Sequence, residues 1–211
     1  MRATTAIVGI LLLSGILQAG FTVIGTAYEI QGQIPGGSFV QNSATPISRL
    51  ISDQEGKVSA QAGPYYAKVY TSGGELIPLS GTAKSVIDFQ VDQSCLQMNY
   101  CSWGNYFHQP DNWTQIRLEE LNSSQVIYDK VQSFYPGSVG YSATGRELFH
   151  LNPDGTYRLT LIAHDATFIN GGAEVGVDLQ TVPAPGALLL ASLGAACLKP
   201  MLQRRRRQNA A

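Results

Sequence analysis

Charged residues are scarce in this 211-residue chain, at 14% of the total, and they are unevenly placed. Of fourteen Lys and Arg, six lie at the two ends: Arg2, Lys199, Arg204, Arg205, Arg206 and Arg207. All fifteen Asp and Glu fall between Glu29 and Asp178, so the stretch between the ends sets eight cations against fifteen anions. Neutralising phosphates needs clustered Lys and Arg, so the central region does not read as a nucleic-acid binder. Its negative balance suits an aqueous exterior. Catalytic signatures are missing too: there is no G-x-S-x-G elbow, no phosphate-binding loop, no GxGxxG after a strand and no HExxH pair. A DxDxDG-type calcium loop is absent, as are a convincing long amphipathic helix and an internal repeat of fixed period.

What the middle does have is alternation. VIDFQVDQ (86–93), TQIRLEEL (114–121), SQVIYDKV (124–131) and TYRLTLIAHD (156–165) alternate apolar and polar side chains. Tyr157, Leu159, Leu161 and Ala163 would share one face, as would Ile116 and Leu118. Residues 65–70 and 173–179 complete six or seven expected strands, and LISDQEGK (50–57) has room for a short helical turn. Gly73-Gly74, Asn122-Ser123, Pro136-Gly137, the NPDG of residues 152–155 and Gly171-Gly172 are turn chemistry. The NPDG stretch predicts an antiparallel hairpin between residues 147–151 and the strand from Thr156. Many short strands with spaced turns imply an all-β, antiparallel β-sandwich, jelly-roll-like, over residues 28–180.

Candidate chemistry within it is sparse. Cys95 and Cys101, in SCLQMNYCSW, can close a small disulfide loop in an oxidising compartment. Free thiols are the next reading. Cys-x5-Cys is not a metal spacing, and His108 is the only histidine nearby. His150 and His164 flank the NPDG turn next to Asp165, a constellation that would need a third ligand to hold a metal. Glu119 and Glu120 are adjacent in a strand and point to opposite faces, while Asp88 and Asp92 share a face about 13 Å apart. Neither pair suits glycoside hydrolysis. Tyr100, Trp103, Tyr106, Phe107 and Trp113 crowd into fourteen residues. Exposed, such rings stack on sugars or anchor a partner; turned inward, they cap the core. Asn112-Trp113-Thr114 and Asn122-Ser123-Ser124 match glycan-acceptor triplets.

The two ends carry addresses. Residues 1–27 read as an export signal: Arg2 starts it, residues 6–17 form an uncharged apolar run, and small residues follow. Cleavage fits after Ala19 or after Ala27. An uncleaved anchor is the competing reading, against which the run is short for a membrane span. At the other end, residues 186–198 carry no charge, and a membrane helix over about 186–203 requires Lys199 to snorkel. Arg204, Arg205, Arg206 and Arg207 form a basic stop on the cytoplasmic side.

Val182, Pro183, Ala184 and Pro185, the short apolar segment and the arginine cluster together resemble the PEP-CTERM sorting signal of bacterial exported proteins over residues 181–208. Ala184 stands where the family's name places glutamate, and Lys199-Pro200 interrupts the span. The resemblance implies exosortase as processing partner, a transient inner-membrane anchor, and delivery to the cell surface or extracellular matrix. It implies no activity for the central domain. The expectation is a non-enzymatic structural or adhesive protein with no cofactor and extracellular polysaccharide as a candidate ligand. The alternative is a secreted carbohydrate-active hydrolase on a jelly-roll scaffold.

Overall fold

The structure is a computed structural model that describes residues 20–74, 78–92, 94–106, 111–134, 141–168 and 170–182. The expected signal and transmembrane helices lie outside these residues, as do Phe107, His108, Pro136-Gly137, Pro183, Ala184, Pro185 and the arginine cluster. Every element among the described residues is a strand. They run β1 (Phe21–Ile34), β2 (Gly37–Ser43), β3 (Ile47–Ser52), β4 (Gly56–Gly63), β5 (Tyr66–Gly73), β6 (Leu79–Val91), β7 (Cys95–Tyr106), β8 (Trp113–Glu120), β9 (Gln125–Ser133), β10 (Tyr141–His150), β11 (Thr156–Thr167) and β12 (Asn170–Thr181).

These twelve strands, rather than six or seven, form two six-stranded antiparallel sheets. The first has the order β2-β1-β6-β11-β8-β9, the second β10-β7-β12-β5-β4-β3. Within them, β6-β11-β8-β9 and β5-β12-β7-β10 have the pairing of an eight-stranded jelly roll. The hairpins β1–β2 and β3–β4 widen one sheet each.

Alternation is legible because each sheet buries one face and wets the other. Leu159 and Leu161 on β11, Ile116 and Leu118 on β8, Ile87 and Phe89 on β6 are all buried against Val58, Val69, Leu96, Met98 and Val175 of the second sheet. Each such aliphatic side chain contributes about 1.5–3 kcal/mol relative to an exposed one. Polar groups inside are paired where they can be. The Ser85 hydroxyl donates to the Gly63 carbonyl at 2.9 Å, and the Ser102 and Thr114 hydroxyls meet at 2.6 Å. Among the described residues Asn105 Oδ1, Arg117 Nε and Asp165 Oδ1 are buried without a partner, and of these only Asp165 Oδ1 belongs to a fully buried carboxyl, whose Oδ2 accepts from the Thr71 hydroxyl at 2.7 Å. Burial raises the Asp165 pKa to about 7, only partly offset by Thr71 and Asn112.

Strand β1 begins at Phe21, and its residues 21–27 pair with β6 across a register shift between Val23 and Gly25. Three local expectations are corrected. LISDQEGK holds no helical turn: it ends β3 and turns into β4, where the Asp53 carboxylate accepts from the Gly36, Glu55 and Gly56 amides. Gly171 and Gly172 lie inside β12 because neighbours crowd their faces; a Cβ on Gly171 would meet the Asp165 carboxylate at 2.5 Å. The NPDG stretch is not a hairpin. It turns the chain from β10 in the second sheet to β11 in the first, and the Tyr157 hydroxyl donates to the Asn152 carbonyl (2.9 Å) and accepts from its amide (2.7 Å).

Candidate ligand-binding face

Trp103 faces outward from β7 on the second sheet. Its cross-strand partner on β12 is Glu174, and the partner of Glu174 on β5 is Lys68. One pleat along, Asn105, Gly172 and Tyr70 stand in line. Because Gly172 has no side chain, Tyr70 and Trp103 close over it from either side, with ring centroids 6.0 Å apart and planes tilted by 48°. A Cβ there would stand 2.7 Å from the Tyr70 ring and 3.1 Å from Trp103. The Tyr70 hydroxyl donates to Glu174 Oε2 at 2.8 Å. Burial, then the hydrogen bond and charge of Glu174, push the Tyr70 pKa up to about 12, so the phenol stays a donor at neutral pH. Tyr70 remains 39% exposed. The face therefore presents a fixed aromatic pair beside a fixed carboxylate.

The next row holds Thr144, Cys101, Gly176 and Tyr66. Tyr66 leans over Gly63, and a Cβ on Gly176 would meet nothing nearer than 3.7 Å. The row is a shallow trough across the strands. Beyond it, an Arg146 guanidinium N–H donates to Gln97 Oε1, the Gln97 amide to Asn99 (3.2 Å) and the Asn99 amide to Asp178 (3.4 Å). Aromatic rings thus line one bank and a chain of amides and charges the other, about 13 Å apart along the strands.

The aromatic residues clustered in sequence do not form one site. Trp103 and Trp113 point from opposite outer faces, because β7 and β8 belong to different sheets. Tyr100 turns into the core, where Lys130 reaches its hydroxyl and lies 4.5 Å from the ring centroid. Tyr106 closes β7. Trp103's actual partner, Tyr70, lies 33 positions earlier in the sequence, and the signal for it was the period-two run ending in YAKVY.

The expected disulfide is not formed. Cys95 and Cys101 are both free, because both lie on β7, six residues and about 20 Å apart along an extended strand. His150 and His164 are likewise separated, one on each sheet. Asn112 is buried with both ends of its amide engaged, to Asn105 O and Ala166 N, which removes it as a glycan acceptor.

The outer face of the first sheet is built differently. Arg158 grips Asp88 in a bidentate pair (2.7 and 2.8 Å), and Arg117 meets Glu119 at 3.0 Å and Asp129 at 3.9 Å. Trp113 stacks on His164, centroids 5.3 Å apart, and His164 Nδ1 shares a 2.8 Å hydrogen bond with the Thr82 hydroxyl. Burial lowers the His164 pKa, opposed in part by the charge of Asp111. A cleft of about 290 Å³ opens beside it, lined by Gln31, Ser38, Val40, Ser80 and Thr82.

No family model matches the chain, and no curated protein matches it in sequence. Among solved structures it is similar to TmCBM61 in complex with beta-1,4-galactotriose, at 8% identity over 65% of this chain and 88% of that one, with a TM-score of 0.35. It is similar to the CBM22-1 xylan-binding domain from Paenibacillus barcinonensis Xyn10C, at 11% identity over 67% and 88%, TM-score 0.30. It is similar also to murine APRIL, at 10% identity over 71% and 98%, TM-score 0.27. Likenesses at this level decide neither ligand nor activity.

Proposed function

We propose that this is an exported, non-enzymatic β-sandwich of the cell surface or extracellular matrix, which holds polysaccharide across the outer face of its second sheet. The observation that carries the reading is the Tyr70–Trp103 pair, closed over Gly172 and fixed by Glu174. Rings held rigidly at a surface offer apolar area to a sugar face at little conformational cost, and the trough at Gly176 leaves room for the chain. Glu174 and Asp178 share this face but stand four residues apart on β12, about 13 Å, wider than the carboxylate pairs of glycosidases. That favours holding a glycan over cutting one.

Affinity electrophoresis of the purified protein through gels cast with bacterial and algal polysaccharides tests the reading. Retardation is expected in at least one gel. Trp103→Ala and Tyr70→Ala should each weaken it by about 2 kcal/mol, roughly thirty-fold in affinity. Retention in none of the gels, or equal retention by both variants, would sink it.

The sorting half of the proposal rests on the two ends. Cleavage after Ala19 leaves β1 whole, whereas cleavage after Ala27 would remove the register from Phe21↔Val91 to Ala27↔Val86. A cut near Pro185 likewise spares β12, which ends at Thr181. Intact-mass spectrometry of native protein from the cell surface or medium is expected to find a chain starting at Gly20 and ending close to Pro185. A chain still carrying Arg204, Arg205, Arg206 and Arg207 would mean a retained inner-membrane anchor and no exosortase processing.

A further inference from the structure

We propose that the cleft beside His164, on the outer face of the first sheet, is a second polysaccharide site, specific for neutral glycans, through which one chain bridges two polymer strands. Five strands build it in one cross-strand row: Val40, Gln31, Thr82, His164 and Trp113 are successive partners across β2, β1, β6, β11 and β8. Val40, 65% exposed, is one wall. The His164 ring is the other, three strands and about 14 Å away. That ring is fixed from two sides, by the Thr82 hydroxyl 2.8 Å from Nδ1 and by Trp113, stacked with centroids 5.3 Å apart. The space between the walls is about 290 Å³, near the lower end of small-ligand sites.

The chemistry of the lining names the ligand class. No Asp, Glu, Lys or Arg lines the cleft among the described residues. Gln31, Gln33, Ser38 and Ser80 do, and their side chains hydrogen-bond to no described residue. Further along the same face the polar groups are consumed internally, Arg158 by Asp88 and Arg117 by Glu119. Around the cleft they are left over: amides and hydroxyls that both donate and accept, between an aliphatic wall and an aromatic one. A sugar presents the complement, hydroxyls at its edge and C–H groups on its faces. An anionic polymer is disfavoured. The cleft offers it no cation, and the stretch between the two ends sets eight cations against fifteen anions. The cleft and the Tyr70–Trp103 pair point away from each other with the core between them, so a glycan on each is held by a single chain. The bridging rests on the Tyr70–Trp103 reading above; the cleft site does not.

Amide NMR titration of isotope-labelled protein tests both parts. The probes are tetrasaccharides of β-1,4-linked glucose, xylose, mannose and galactose, with a galacturonic acid tetrasaccharide as the anionic control. At least one neutral probe is expected to shift Gln31, Ser80, Thr82 and His164, separately from shifts on β5, β7 and β12. Gln31→Ala combined with Gln33→Ala, both at exposed positions, should weaken the first set on the order of tenfold and spare the second. Trp103→Ala should do the reverse. A solution of the parent polymer should thicken with the wild type and with neither variant. An absence of first-sheet shifts with every neutral probe overturns the proposal, as does unchanged affinity in the glutamine variant or tighter binding of the galacturonate. First-sheet shifts without second-sheet ones overturn the bridging and the Tyr70–Trp103 reading together, and leave the cleft site standing.

Discussion

Asp165→Asn is expected to abolish a stability loss of roughly 4 kcal/mol that the wild-type chain undergoes between about pH 4 and pH 8. The carboxyl sits between the sheets at 0% exposure, takes one hydrogen bond from Thr71 on Oδ2, and leaves Oδ1 orphaned. It enters none of the ion pairs formed by the described residues. Burial therefore raises its pKa from 3.8 to about 7. Between those values the folded chain binds a proton that the unfolded chain has already released. Stability is consequently full below the unfolded pKa and falls as pH rises through the folded one, by about 1.4 kcal/mol per unit. Asparagine cannot ionise, so its stability should stay level where the wild type declines. Its amide nitrogen needs an acceptor, and if the Thr71 and Thr167 hydroxyls cannot supply one, the variant loses about 1–3 kcal/mol at every pH. That offset leaves the slope untouched. Urea unfolding of both chains at four pH values separates the two effects, and parallel curves would show that Asp165 is ionised, or solvated, at neutral pH.

The same residue shows what could and could not be seen in the sequence. TYRLTLIAHD alternates, so Asp165 reads as facing the same way as Leu159 and Leu161, and it does. Period two distinguishes inward from outward, which is why β8 and β11 were legible almost to their ends and β6 over its second half. It does not say which sheet a strand joins. Seven of the eleven connections change sheet, and each is decided by long-range packing that no local pattern records. This is where the aromatic cluster came apart: Trp103 and Trp113 are ten positions apart and lie on opposite faces. Residues 21–63 were illegible for a different reason. The first half of β1 is largely exposed and breaks register between Val23 and Gly25, and β3 exposes most of its residues, so neither alternates cleanly. The Cys95–Cys101 bridge failed because two cysteines on one straight strand cannot meet, and only knowledge that residues 95–106 are extended reveals it.

The corner at residues 151–156 carries the chain from the second sheet to the first, and Tyr157 holds it. Its ring is 1% exposed and lies 5.8 Å from Phe89 at a 36° tilt, while its hydroxyl bonds both backbone groups of Asn152. Gly155 donates to the same Asn152 carbonyl at 2.9 Å, and the Asn152 side chain accepts from Asp154 at 3.1 Å. The turn is thus closed on itself and then fastened to the core. Tyr157→Ala removes both anchors and should cost about 3–5 kcal/mol, the range for deleting a buried aromatic ring. Tyr157→Phe keeps the ring and strips only the hydroxyl, leaving the Asn152 amide without its acceptor, and should cost about 1–2 kcal/mol. Thermal or urea unfolding of the two variants gives the division directly. Because the corner delivers β10 to the edge of the second sheet, the Phe variant should also show faster amide exchange at Leu151 and His150 than elsewhere on β10. A Phe variant as stable as the wild type, with the Ala variant still weakened, would mean that packing against Phe89 alone sets the corner and that the hydroxyl merely exchanges one partner, water, for another.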